Sequence, residues 1–259
     1  MAYTTSADGT LIAYYTVGKG EPIVIVGGAF STAEAATPLA EALAGAGLQG
    51  VTLDRRARGS SGNTDPYAPQ REAEDLAAVI EAVGGEASVL GHSSGAMLAL
   101  FAAAQGVPVK HLFLSEPPFL FGEGDPGDDF PERLQALVDE GNPDEVVTTF
   151  QREAVRLPDE AVDQIRHSPV FPSLVAVAQS VVYDATLSRE VSTPTTSMTS
   201  IDVPVTILRG EPTFPMLVRA VELLHEAMPN SELVVVPESH DHSIDPTGTA
   251  REIRSRLAA

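Results

Sequence analysis

One nonapeptide constrains this chain more than any other segment: Val89-Leu90-Gly91-His92-Ser93-Ser94-Gly95-Ala96-Met97. An aliphatic run stops at a glycine, a serine follows two positions on, and a second glycine two beyond that. An Ala/Leu-rich stretch then runs to about Ala104. Read physically, a buried strand turns sharply into a helix. Ser93 sits at the apex in a strained backbone conformation with its Oγ exposed, and the glycines let neighbouring chain pass close by. The start of the helix presents an oriented N–H and a dipole suited to a developing oxyanion. From the chain's Gly and Ser frequencies, G-x-S-x-G arises by chance roughly 0.1 times in this length, so the flanking pattern carries much of the weight. A Gly-rich strand-to-helix turn with an idle serine is the bland reading of the same residues.

The surrounding pattern alternates short β-rich runs with helical stretches, which predicts an α/β fold with a mostly parallel sheet. Leu11 to Val17 reads as an early strand, in a hairpin with the segment before Asp8-Gly9. Ile23 to Val26, Val51 to Leu53, Ser88 to Leu90 and His111 to Leu114 read as strands, the aliphatic ones buried on both faces. Helices are expected over Ala33 to Ala44, with Ser31 or Thr32 as N-cap, over Glu72 to Val83, and over Ser94 to about Ala104. From Glu116 to Asp202 helical patterns continue without a convincing strand, and Ser188 to Ser200, rich in Ser and Thr, reads as a loop. The rhythm resumes with the strand Val205 to Leu208, a helix over Met216 to Met228, the strand Leu233 to Val236 and a last helix near Thr249 to Leu257. The expected division is therefore a core of residues 1–116 and 203–259, with residues 117–202 inserted as a helical cap over the carboxyl edge of the sheet.

Composition removes several classes of function. The 259 residues carry 36 acidic and 16 basic side chains, a net charge of −20. Nucleic acid and anionic membrane faces both call for Lys/Arg patches, so neither is an expected partner. With no cysteine there is no disulfide, thiolate metal site or cysteine nucleophile. Met1 to Thr10 lacks the basic and apolar parts of a secretory signal, and the longest apolar run, Ala96 to Ala104, is about half a membrane span. A cytoplasmic, cofactor-free and metal-free protein acting on a small molecule is expected, as monomer or homodimer.

Around the nonapeptide the chain resembles the α/β-hydrolase fold superfamily over nearly all its length. Asp8-Gly9-Thr10-Leu11-Ile12-Ala13-Tyr14 resembles the family's opening strand pair. Glu21 to Phe30 is similar to the strand ending in its His-Gly-x-Pro oxyanion loop. Asp54-Arg55-Arg56-Ala57-Arg58-Gly59-Ser60-Ser61-Gly62 is similar to its Asp-x-Arg-Gly-x-Gly-x-Ser turn. Two departures stand out: Gly27 replaces the usual His, and Phe30 a frequent Pro. Oxyanion donors are backbone N–H groups, so neither change removes one. The resemblance implies the N–H of Ala29 and of Ser94, with Gly28 or Phe30 as neighbours able to serve. Arg55, Arg56 and Arg58 are expected to pack and pair.

The resemblance also locates the partners Ser93 needs. Of six histidines, His240 and His242 follow the last strand, where the family places its base. His242-Ser243-Ile244-Asp245-Pro246 fits the lead into the last helix, so His242 is preferred over His240. His92, inside the turn, cannot easily point at its neighbour's Oγ. The family's usual acid position holds Thr213, which cannot stabilise an imidazolium as an anion does. Glu116 stands at the fold's second acid position, as in some haloalkane dehalogenases, and is preferred over Glu211; the absence of any acid is the third reading. Dehalogenation itself requires Asp at the nucleophile position. The expected chemistry is acyl-enzyme hydrolysis of a small ester or lactone at Ser93, with His242 as base and Glu116 as orienting acid. Phe30, Phe119 and Phe121 are expected to bind substrate, and Leu120, Phe171, Leu174 and Val177 to line the pocket or pack the cap. Acyl transfer, C–C hydrolysis, perhydrolysis and an idle ligand binder remain alternatives.

Overall fold

The computed structural model describes residues 1–124 and 126–258. Its strands and helices follow one another as β1 (Ala2–Thr5), β2 (Leu11–Gly18), β3 (Pro22–Val26), α1 (Thr37–Gly45), β4 (Gln49–Leu53), α2 (Pro69–Ala82), β5 (Ala87–His92), α3 (Ser94–Ala104) and β6 (Val109–Ser115). Six helices come next: α4 (Phe130–Asp139), α5 (Pro143–Glu153), α6 (Asp159–Arg166), α7 (Phe171–Val175), α8 (Ala178–Glu190) and α9 (Thr196–Thr199). The chain closes with β7 (Val205–Gly210), α10 (Pro215–Ala227), β8 (Glu232–Val236) and α11 (Pro246–Leu257).

The eight strands form one sheet in the order β1-β2-β4-β3-β5-β6-β7-β8. The β1/β2 and β2/β4 pairs are antiparallel and the other five parallel, the mixed α/β sheet the sequence predicts. The continuous aliphatic runs are explained by the pleat. In β3, Ile23 and Ile25 enter one core with α1 and α11, while Val24 and Val26 enter the other with α2, α3 and α10. Leu90 with Val89, and Phe113 with Leu112 and Leu114, divide the same way. α3 lies against the sheet with Ser94 to Ala103 all buried, which is why it is apolar on every side.

Between β6 and β7 no strand occurs among the described residues, and α4, α5 and α8 pack around a core of their own that includes Phe130, Leu134, Val146, Phe150 and Val181. No described helix is long and apolar enough to cross a membrane.

Two local expectations are corrected. The first helix is preceded by a 3-10 turn over Ala33–Ala36, and Thr32 makes no side-chain cap there. Pro38 in the first turn of α1 sets the later start. The expected loop 188–200 is helical at both ends, with only 191–195 left as a loop between them. α8 runs on to Glu190 because Leu187 and Val191 are buried, and Thr195 caps α9 by accepting a bond from the Met198 N–H.

Candidate active site

β5 delivers Ser93 to the carboxyl edge of the sheet in the conformation φ 54°, ψ −128°. An L-residue rarely adopts it, and it costs on the order of 1–3 kcal/mol. The flanking glycines are sterically required. A β-carbon at Gly91 would lie 2.4 Å from Ala96 Cα, and one at Gly95 would lie 2.2 Å from the Val26 carbonyl oxygen. Ser93 N–H donates to the Ser115 carbonyl at 2.9 Å, tying the turn to the end of β6.

That strand end carries Glu116, and the loop after β8 carries His242. β7 separates β6 from β8 and ends beside both. His242 Nδ1–H donates to Glu116 Oε2 at 2.6 Å, and its Nε2 faces Ser93 Oγ at 3.0 Å. The carboxylate only accepts, so it sets the tautomer: Nδ1 bears the proton and Nε2 is left to accept from the serine hydroxyl. Gly210 N–H donates to the other carboxylate oxygen, Oε1, at 2.9 Å. Burial would raise the Glu116 pKa, but the bonds from His242 and Gly210 and the adjacent imidazole outweigh it, so the group is held below the usual carboxylate value. Thr213, at the more usual acid position, places its buried Oγ1 close enough to favour that charge, although this hydroxyl completes no hydrogen bond. Glu116 and His242 share the positive φ of Ser93, at 46° and 62°.

The structure does not bring the two rivals in. His240 and Glu211 are both exposed, neither bonds Ser93 or His242 through its side chain, and Glu211 N–H donates to the Ser239 carbonyl at 2.8 Å.

Two backbone N–H groups lie next to the serine turn in the chain or in space, those of Ser94 and Ala29. Ser94, first in α3, has no intrahelical acceptor. Ala29 follows Gly28, whose carbonyl accepts from Arg58 Nη1 at 2.6 Å. In a trans peptide the C=O and the next N–H point oppositely, so the Arg58 bond also fixes the direction of the Ala29 N–H. Gly28 itself packs so closely that a β-carbon there would lie 2.7 Å from Ser93 Cβ. The arrangement joins a serine hydroxyl, an imidazole with its tautomer set and a buried carboxylate in one hydrogen-bonded chain.

A profile of the alpha/beta hydrolase family matches residues 23–252. The chain belongs to the α/β-hydrolase family. It is a hydrolytic enzyme, similar to an α/β hydrolase of Sphaerobacter thermophilus at 38% identity, with a TM-score of 0.91 over 99% of this chain and 100% of that one. It is also 38% identical over 126 residues to the N-formylmaleamate deformylase of Pseudomonas putida, a match covering 47% of this chain and 46% of that protein. The chain thus matches about half the length of that curated relative. A thermophilic esterase of Thermogutta terrifontis shares the fold, with a TM-score of 0.70 and 18% identity over 99% of this chain and 96% of that one.

In this hydrolase a mostly apolar cavity of about 680 Å³ opens beside Ser93, walled by the sheet edge and by the helices between β6 and β7. Phe30, Leu120, Phe130, Phe150, Met216 and Leu217 are among its lining residues. Phe119 and Phe121 do not reach it, which corrects their expected role. Phe119 is buried in the core around α3, and Phe121 packs against the same core, their rings 6.2 Å apart. Leu120, between them, takes the cavity side. Phe171 and Leu174 pack against the insert's own core and Val177 is buried, none of them lining the cavity.

Arg55 and Arg58 pack and pair, as read from the sequence, but one of their partners was not foreseen. Asp184 on α8, with no exposed surface, accepts from Arg55 Nη1 at 2.8 Å, Arg58 Nη2 at 2.6 Å and Ser94 Oγ at 2.7 Å. The sequence signal is faint: a lone acid within the apolar run Val181-Val182-Tyr183-Asp184-Ala185.

His92 braces the base from behind. Its Nε2–H donates to the His242 carbonyl at 3.1 Å, and the two rings lie 4.7 Å apart. Burial and the facing imidazole lower its pKa from 6.5 to about 4. Its neutral form is thus favoured in the fold. That stability is complete above pH 6.5, declines as pH falls towards 4, and is constant below. Going from pH 7 to pH 5 should cost up to about 2 kcal/mol through this residue. Denaturant titrations at the two pH values should show the loss in the wild type and a clearly smaller one in His92→Asn.

Proposed function

We propose that this hydrolase cleaves a small carboxylic ester or lactone through an acyl-enzyme on Ser93. The observation that carries the reading is the unbroken chain from Ser93 Oγ through His242 to Glu116, at 3.0 and 2.6 Å. Ser93 Oγ attacks the acyl carbon while its proton passes to His242 Nε2. The carbonyl π pair moves onto oxygen, where the N–H groups of Ala29 and Ser94 receive the charge; each such donor is worth about 10²–10³ in rate. Collapse expels the alkoxide, which takes the proton from His242. A water then gives its proton to Nε2 and attacks the acyl-enzyme, and the second collapse restores the serine hydroxyl and releases the acid. Glu116 remains an anion throughout and stabilises the imidazolium.

A second reading is cleavage of an N-formyl amide by the same steps, with an amine leaving. The 38% identity with a deformylase over 126 residues favours it. The idle-binder alternative is disfavoured by the intact hydrogen-bond chain. A fluorophosphonate probe should label the wild type and not Ser93→Ala, and the same substitution should abolish turnover of 4-nitrophenyl butyrate. No labelling of the wild type, or equal labelling of both, would sink the serine mechanism. Comparing that ester with N-formyl amides of similar size separates the two readings.

A further inference from the structure

The cavity beside Ser93 differs in charge from the chain around it. Acids outnumber bases 36 to 16 overall. Yet the described residues lining the cavity include no Asp or Glu and two arginines, Arg156 and Arg189. Arg189 is neutralised, with Nη1 2.7 Å from Glu132 Oε1 and bonded to the Asp128 carbonyl. Arg156 forms no ion pair or hydrogen bond through its side chain with any described residue, although the chain as a whole is rich in carboxylates.

Its placement is specific. After α5 the chain turns back, with Leu157 N–H donating to the Gln151 carbonyl at 2.9 Å and Arg156 in the left-handed region at φ 62°. That conformation disfavours an arginine relative to a glycine. The guanidinium lies against Gly124, where any β-carbon would collide with it. Five residues earlier, Gln151 lines the same cavity and is 4% exposed, and its Oε1 is buried without a partner. No described group bonds its Nε2 either. The buried Oε1 needs a donor, which a carboxylate does not bring; it is the unbonded Nε2 that can donate to an anion.

We infer that Arg156 and Gln151 form a carboxylate-binding subsite, so that the preferred substrate is an ester or amide bearing a free carboxylate besides the acyl group Ser93 attacks. This rests on the serine hydrolase reading above and narrows it to a substrate class. The guanidinium presents two parallel N–H donors that match a carboxylate, and Gln151 Nε2 supplies a further donor. The remaining wall is mostly apolar, which strengthens an ion pair by limiting water. A charge-assisted contact of this kind corresponds to about ten- to a hundredfold in apparent affinity.

The test compares mono-4-nitrophenyl glutarate with its methyl ester, which lacks the charge. The wild type should favour the free carboxylate at least tenfold in kcat/KM, mostly through KM, and the preference should shrink as salt is raised. Arg156→Gln should abolish the preference, and Gln151→Leu should weaken it by several-fold. Binding of glutarate against dimethyl glutarate to Ser93→Ala, followed by calorimetry, reads the subsite without chemistry. Equal kcat/KM for the two esters in a Ser93-dependent reaction overturns the subsite and leaves the mechanism standing. A preference that survives Arg156→Gln overturns it too. Turnover of both esters by Ser93→Ala overturns the mechanism, and the calorimetry then decides the subsite alone.

Discussion

Glu116→Gln lowers kcat for a 4-nitrophenyl ester by about 10⁴ while the protein stays folded. The argument is one of tautomers. Gly210 N–H bonds the carboxylate oxygen Oε1 at 2.9 Å and has no use for an amide N–H, so a glutamine will place its carbonyl oxygen there. Its Nε2 then faces His242 Nδ1 in the place of Oε2, now 2.6 Å away. A donor in that position makes Nδ1 the acceptor and moves the imidazole proton to Nε2, so the base has no lone pair for Ser93. The corresponding loss in serine proteases, where acid is replaced by amide and the geometry is preserved, is about 10⁴ in kcat, or some 5.4 kcal/mol of barrier. KM should change little, because Glu116 faces the histidine rather than the cavity. Thermal unfolding separates this from misfolding, since a near-isosteric amide keeps the Gly210 bond. A loss under threefold in a folded variant would mean that Glu116 is not the acid.

The parts of this site that were legible in the sequence are those fixed by local chain geometry. The turn at Ser93 is written in two glycines, each excluded from substitution by atoms under 2.5 Å away. The strand-end position of Glu116 and the short reach from β8 to His242 follow from the alternation of strands and helices, because β6, β7 and β8 are neighbours. What could not be read were contacts between segments far apart in the chain. Asp184 meets Ser94 across 90 positions and Arg55 across 129. No periodicity encodes such a pairing. Nor does composition tell which of three consecutive apolar residues, Phe119, Leu120 and Phe121, faces the cavity. That Arg156 pairs with no described carboxylate is likewise invisible in a chain so rich in acids, because it depends on where those acids are placed.

Asp184→Asn should destabilise the fold by about 3–5 kcal/mol, the range for breaking a buried ion pair from one side. At this chain length that corresponds to a fall of roughly 10 °C in Tm. Asp184, Arg55, Arg58 and Glu72 are all buried and their charges cancel, with Arg55 Nε 2.6 Å from Glu72. Burial alone would raise the Asp184 pKa, but the two guanidinium groups and the Ser94 hydroxyl reverse that, so the carboxylate stays charged. Replacing it with an amide leaves two buried cations facing one anion. Activity should fall as well, because the same arginines grip the oxyanion loop: Arg58 holds the Gly28 and Ser31 carbonyls and Arg55 the Gly27 carbonyl. A loosened Arg58 frees the Ala29 N–H to turn, which should cost about tenfold or more in kcat with a smaller change in KM. A double-mutant cycle with Arg58→Gln isolates the pair. Each single change leaves an uncompensated charge and the double change does not, so the double variant should be more stable than the sum of the singles implies, by about 1–3 kcal/mol. Additive losses would mean that Asp184 merely fills space, and that the helices between β6 and β7 meet the nucleophile turn by packing rather than by charge.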